Sequence, residues 1–108
     1  MTHIIASRNF NTSDGTLTLN ITSTDSEIPA FKFFLQNSRG ETLEEFTAYG
    51  QDSIQALLHC LTAAGDTLQK FYPAATWAEK LPHGLPVSDI TTDNVFRAVV
   101  EIPLHTPN

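Results

Sequence analysis

The stretch Thr47-Ala48-Tyr49-Gly50-Gln51-Asp52-Ser53-Ile54-Gln55-Ala56-Leu57-Leu58 divides the chain into two kinds of pattern. Before it, apolar side chains tend to recur at every second residue, the spacing of half-buried strands. After it they recur at three and four, the spacing of one helix face. Gly50 breaks the strand. Asp52, with Gln55 three residues on, reads as an N-cap in a variant of the capping box. Ile54, Leu57, Leu58, Leu61, Ala64, Leu68, Phe71 and Tyr72 then form one apolar stripe on a helix of about five turns. Gln55, His59, Thr62, Asp66, Gln69 and Lys70 fall on the opposite side, and Asp66 with Lys70 is an i, i+4 pair of the favoured orientation. Gly65 is unfavourable inside a helix, which points to a close crossing over the sheet. Pro73 ends the helix.

Upstream, His3 to Phe10 reads as a strand closing at Asn11. Thr12-Ser13-Asp14-Gly15 is a turn, since Asp-Gly is a strong hairpin signal. Leu17 to Thr22 alternates, with Leu17, Leu19 and Ile21 inward and Thr16, Thr18, Asn20 and Thr22 outward. Thr24 to Pro29 is a polar loop. Ala30 to Gln36 is a third strand, with Phe31, Phe33 and Leu35 on one face. Asn37-Ser38-Arg39-Gly40 turns the chain into a fourth strand, Glu41 to Tyr49. Leu43 and Phe46 are its inward candidates. They break the period of two, which places a bulge near Glu44-Glu45. The fourteen threonines suit strands, where the branched side chain fits.

Downstream, Ala74 to Asp93 is irregular, with a short helical turn at Ala75 to Lys80. Val95 to Ile102 reads as a last strand, and 103–108 as a frayed end. The expectation is an α+β fold, an antiparallel β-meander of four to five strands with one long helix packed across one face. Residues 1–108 make a single domain, since two halves of such a chain would each lack a core.

Six Lys and Arg against twelve Asp and Glu leave a net charge of -6. That balance argues against a nucleic-acid backbone and against anionic membranes as partners. The one cysteine, Cys60, excludes an intramolecular disulfide framework. No signal pattern follows Met1, and no apolar stretch approaches the ~20 residues of a membrane span. A reducing cytoplasm is the expected location.

The run Phe46-Thr47-Ala48-Tyr49-Gly50-Gln51-Asp52-Ser53-Ile54-Gln55-Ala56-Leu57 resembles a family of small bacterial proteins, a domain of unknown function, marked by Y-G-x-D-S-x-Q-A-L at the entry to a helix. Ile5-Ala6-Ser7-Arg8 and Gly84-Leu85-Pro86 sit where that family has comparable segments, so the resemblance covers about residues 1–86. Val95 to Ile102 has no counterpart in it. The resemblance implies a bacterial, stand-alone domain and supplies no catalytic residues. Small acidic bacterial proteins of this kind look like immunity proteins encoded beside a toxin, an analogy at the level of type.

Among the chemistry-bearing residues, His3, His59, His83 and His105 show no metal-ligand spacing, and no metal or cofactor is expected. Cys60 falls beside the apolar stripe, where a thiol is an inert packing residue more often than a nucleophile. Glu41, Glu44 and Glu45 cluster on one strand. Three readings compete there: paired carboxylates for acid–base work, a solvated edge, or an acidic patch that docks a basic partner. Asp25, Glu27, Asp52, Asp66, Glu79, Asp89 and Asp93 would extend that patch. Trp77 caps the core, or, if exposed, becomes an interface anchor. The partner-binding candidates are therefore Glu41, Glu44, Glu45, Asp52, Asp66 and Trp77. The leading expectation is a non-catalytic, immunity- or antitoxin-type protein that occludes a basic toxin domain. The alternative is an interaction or adaptor module, including a homodimer, and a small enzyme ranks third.

Overall fold

The computed structural model describes residues 2–78, 81–92 and 94–102. Strands β1 (Ile4–Thr12), β2 (Gly15–Ser23), β3 (Ala30–Gln36) and β4 (Thr42–Tyr49) precede the long helix α1 (Ser53–Phe71). Sequential strands pair antiparallel, and β5 (Thr76–Trp77) adds to the outer side of β1, giving the order β4-β3-β2-β1-β5. The fold is α+β, as the change of period at Gly50 predicts.

Register explains the core. Phe10 pairs with Leu17, Leu19 with Leu35 and Ile21 with Phe33. Side chains alternate across a sheet, so these apolar residues share one face. All six are buried and pack against α1. The opposite face is polar and knit by cross-strand bonds, Ser7 Oγ to Asn20 Oδ1 at 2.5 Å and Thr18 Oγ1 to Asn9 Oδ1 at 2.9 Å. Thr22, expected to face water, is instead buried, and its hydroxyl donates to the Lys32 carbonyl at 3.3 Å. That bond offsets the cost of burying it.

The bulge expected near Glu44-Glu45 is present at Leu43, next to Glu44, since Leu35 pairs with Glu44 and Gln36 with Thr42. One expectation about β4 is corrected: Leu43 and Phe46 are not core residues, at 37% and 51% exposure. β4 is the outermost strand, and α1 leaves it only partly covered.

The helix also departs from its expected orientation. Asp52 caps it as predicted, accepting from Gln55 N. Its sheet-facing line, however, is Ala56, Cys60, Ala64 and Leu68, while Ile54, Leu58 and Phe71 are exposed. At about 100° per residue this line is rotated roughly 60° from the expected stripe. Three of its four residues are small, which lets the helix backbone approach the sheet closely. Thr62 lies about half a turn away from that line yet is buried.

The cover over Thr62 is a second, two-stranded sheet. Among the described residues, β6 (Val87–Thr91) and β7 (Phe96–Val99) pair only with each other. The expected last strand therefore exists but joins β6, in a segment that reads as irregular, rather than the meander. A strap of residues 82–86 leads into it across α1. A Cβ on Gly65 would lie 1.9 Å from the Pro86 carbonyl oxygen. Gly65 thus answers to the strap, not to a close crossing of helix and sheet.

The expected helical turn at Ala75 to Lys80 is a correction as well. Thr76 and Trp77 form β5, and Trp77 and Leu81 exchange backbone bonds at 2.7 and 2.8 Å. The open edge of β1 recruits two residues of high β propensity. Lys80, and the tail 103–108 read as frayed, lie outside the described residues.

Candidate partner-binding edge

β4 ends the sheet, and among the described residues no strand pairs with its outer side. Gly50 N donates to the Pro29 carbonyl at 3.0 Å, which sets the phase of the ladder. Backbone groups alternate in direction along an antiparallel strand. Those of Ala48, Phe46 and Glu44 therefore face β3, and those of Tyr49, Thr47 and Glu45 face outward. The Tyr49 carbonyl is met by His59 Nδ1 at 3.2 Å. A carbonyl only accepts, so this contact assigns the donor proton to Nδ1.

Beside this edge runs a groove of about 370 Å³ between β4, α1 and the β6–β7 hairpin. Phe46, Tyr49, His59, Ala63 and Phe96 form much of its wall. Phe96 meets the His59 ring edge-on at 5.9 Å, and Phe46 leans on buried Phe33 at 6.3 Å. Tyr49 is 54% exposed. The groove is aromatic, open, and bordered by the outward backbone groups of Glu45 and Thr47.

The glutamates lie along this strand. Glu41 immediately precedes β4, accepts from Asn37 Nδ2 at 2.9 Å, and pairs with Arg39 at 3.7 Å. Glu45 pairs with Lys32 at 3.6 Å across to β3. These are solvent-exposed pairs of small energetic value, which a partner's cations can replace. Glu44 points to the groove side with Phe46, and Glu45 to the other face.

The remaining candidates lie elsewhere or are already engaged. Asp52 Oδ1 accepts from Gln55 N at 2.8 Å, while Gln55 Oε1 accepts from Gln51 N at 2.6 Å. Asp66 holds the hairpin, accepting from Ser88 N at 2.7 Å and from Ser88 Oγ at 2.5 Å. Trp77 is half-buried at the opposite edge of the sheet, on β5. Asp25 and Glu27 stand in the β2–β3 loop, and Asp89 pairs with Arg97 at 2.9 Å. Glu79 and Asp93 lie outside the described residues.

Away from this edge, Cys60 is fully buried, and burial pushes its thiol up to about 11. It is protonated and shielded at neutral pH. Among the described residues, no group of three His, Cys, Asp or Glu converges as a metal site would require. On the other side of α1, Arg8 lies with its guanidinium 3.8 Å from the Trp77 ring and donates Nη1 to the His83 carbonyl at 2.7 Å. His83 Nδ1 accepts from Leu85 N at 2.9 Å, leaving the proton on Nε2 toward Gln69 Oε1 at 3.4 Å. Burial, and then the charge of Arg8, hold His83 below the usual histidine range.

Sequence reasoning missed the groove and the Arg8 cluster. The signal for Arg8 was present: it shares the phase of Phe10 on β1, an inward position for a cation. No comparable signal marked Phe96, because its strand pairs outside the main sheet. No protein-family model, no curated protein and no solved structure matches this chain. Among the described residues no helix is long and apolar enough to cross a membrane.

Proposed function

We propose that this chain is a small acidic protein-binding domain that docks a basic partner along β4. The partner's extended segment adds a strand to the open edge. Its cations meet Glu41, Glu44 and Glu45, and an apolar side chain enters the groove by Phe46 and Phe96. A net charge of -6 steers a cationic protein toward the encounter. Neutralising a basic toxin by occlusion, in the manner of an immunity or antitoxin protein, is the concrete form of this activity. It requires no catalytic residue of this chain.

The observation that carries the reading is the coincidence of three features on β4: an unpaired edge, a run of glutamates and an exposed aromatic groove. A tagged copy, expressed in its source cells and purified at low salt, is expected to retain a stoichiometric basic protein. That protein should be toxic when produced alone and harmless when co-produced. Thr47→Pro removes an outward N–H without touching the β3 ladder and should release it. A preparation that contains only this chain, with or without the substitution, contradicts the reading. If the lone chain is a dimer that Thr47→Pro dissolves, the same edge pairs with a second copy instead.

A further inference from the structure

Arg8 is the unusual cation of this molecule. Among the described residues, Lys32, Arg39 and Arg97 each pair with a carboxylate, and Lys70, which does not, stands exposed to solvent. Among the described residues no carboxylate lies within ion-pair distance of Arg8, although acidic residues outnumber basic ones two to one in the chain. It is half-buried, and its plane is held by the Trp77 ring 3.8 Å away. One of its five N–H groups is spent on the His83 carbonyl. Charges withdrawn from water are normally paired, so this fork is held ready with most of its donors unused.

The space it borders has a definite character. A cavity of about 310 Å³ lies between β1, β2, α1 and the strap. Leu19, Ile21, Leu61, Leu85 and Val100 give it apolar walls, and Arg8 supplies its charged group. Glu101 lines the neighbouring cavity with His83, on the other side of the strap, and not this one. The volume is at the low end for small-molecule sites, which are mostly apolar with a few fixed polar groups. A planar guanidinium with two free parallel donors matches a carboxylate in bidentate fashion.

We propose that this cavity binds a short aliphatic carboxylate, its chain against Leu19, Ile21, Leu61 and Leu85 and its carboxylate on Arg8. The site is on the β1 side of the helix, away from β4, and does not depend on the protein-binding reading. The strap closes one side of it, so occupancy draws Leu85 onto the ligand.

Trp77 is the only tryptophan and lies against Arg8, so its fluorescence reports on the site. Octanoate titrated into the full chain at neutral pH should give a saturable change. Octanol, of the same length without the charge, should bind roughly tenfold or more weakly. Arg8→Lys keeps the charge but loses the fork, and should weaken octanoate by a similar factor while leaving octanol unchanged. Methyl resonances of Leu19, Ile21, Leu61 and Leu85 should shift with octanoate in the native chain, a readout that needs no variant. Equal binding of octanol and octanoate overturns the proposal, because Arg8 would then take no part. No saturable change with octanoate, or methyl shifts confined to other residues, overturns it as well.

Discussion

The carbonyl oxygen of Pro86 lies so close to the Cα of Gly65 that a Cβ there would come within 1.9 Å of it. Both partners are backbone, so neither yields as a flexible side chain does. This contact fixes the strap on the outer face of α1, and the β6–β7 hairpin follows from it. Gly65→Ala gains about 1 kcal/mol of helix propensity but forces the strap away, at a cost of about 1–3 kcal/mol. Urea unfolding should therefore show a net loss of stability despite the better helix former. A stabilised variant would mean that the strap moves aside freely.

Asp66 is the second tie between helix and hairpin, through two bonds to Ser88. Bonds to a carboxylate are worth about 1.5–3 kcal/mol, less where water reaches them. Asp66→Ala should leave the main sheet intact and speed amide exchange across β6 and β7. Two-stranded sheets are marginal alone, so the effect should be local and large. Unchanged exchange at Ser88 would show that the hairpin holds without this tie.

The meander was legible because its apolar residues alternate cleanly: Leu17, Leu19 and Ile21 on β2 and Phe33 and Leu35 on β3 all reach the core. The cap was legible too, because Asp52 and Gln55 stand at capping distance. The orientation of α1 was not. Large residues such as Ile54 and Leu58 dominate a hydrophobic pattern, whereas the buried line uses Ala56, Cys60 and Ala64, whose size a pattern undervalues. The hairpin was hidden for a related reason. Ser88 and Asp89 dilute β6, and its partner Phe96 covers a helix rather than extending a sheet. Glu41, Glu44 and Glu45 could be placed on one strand from sequence, but only the strand order puts that strand at an edge.

His83 ties stability to pH. Its value in the fold lies below its unfolded value, because burial and Arg8 oppose its charge. The unfolded chain therefore binds this proton first as pH falls. The contribution is fully present above about pH 6.5 and is lost as pH drops through the folded value. Melting temperatures between about pH 5 and 8 should fall toward acid for the native chain and less steeply for His83→Gln. Parallel curves would show that His83 does not couple stability to pH.

Cys60 should behave as a reporter of unfolding. It is fully buried and its thiol is pushed up to about 11. Iodoacetamide should modify it negligibly in the native chain at mild alkaline pH and completely in denaturant. Equal rates in both states would place the thiol in solvent and contradict the packing of α1 on the sheet.

If β4 takes up a partner strand, as proposed, hydrogen–deuterium exchange of the chain with the basic protein expected to co-purify with it gives the most direct test. The outward amides of Glu45, Thr47 and Tyr49 should become protected on binding, while those of β5, at the opposite edge, stay unchanged. Protection at β5 or on the polar sheet face, with β4 exchanging as in the free chain, would contradict it.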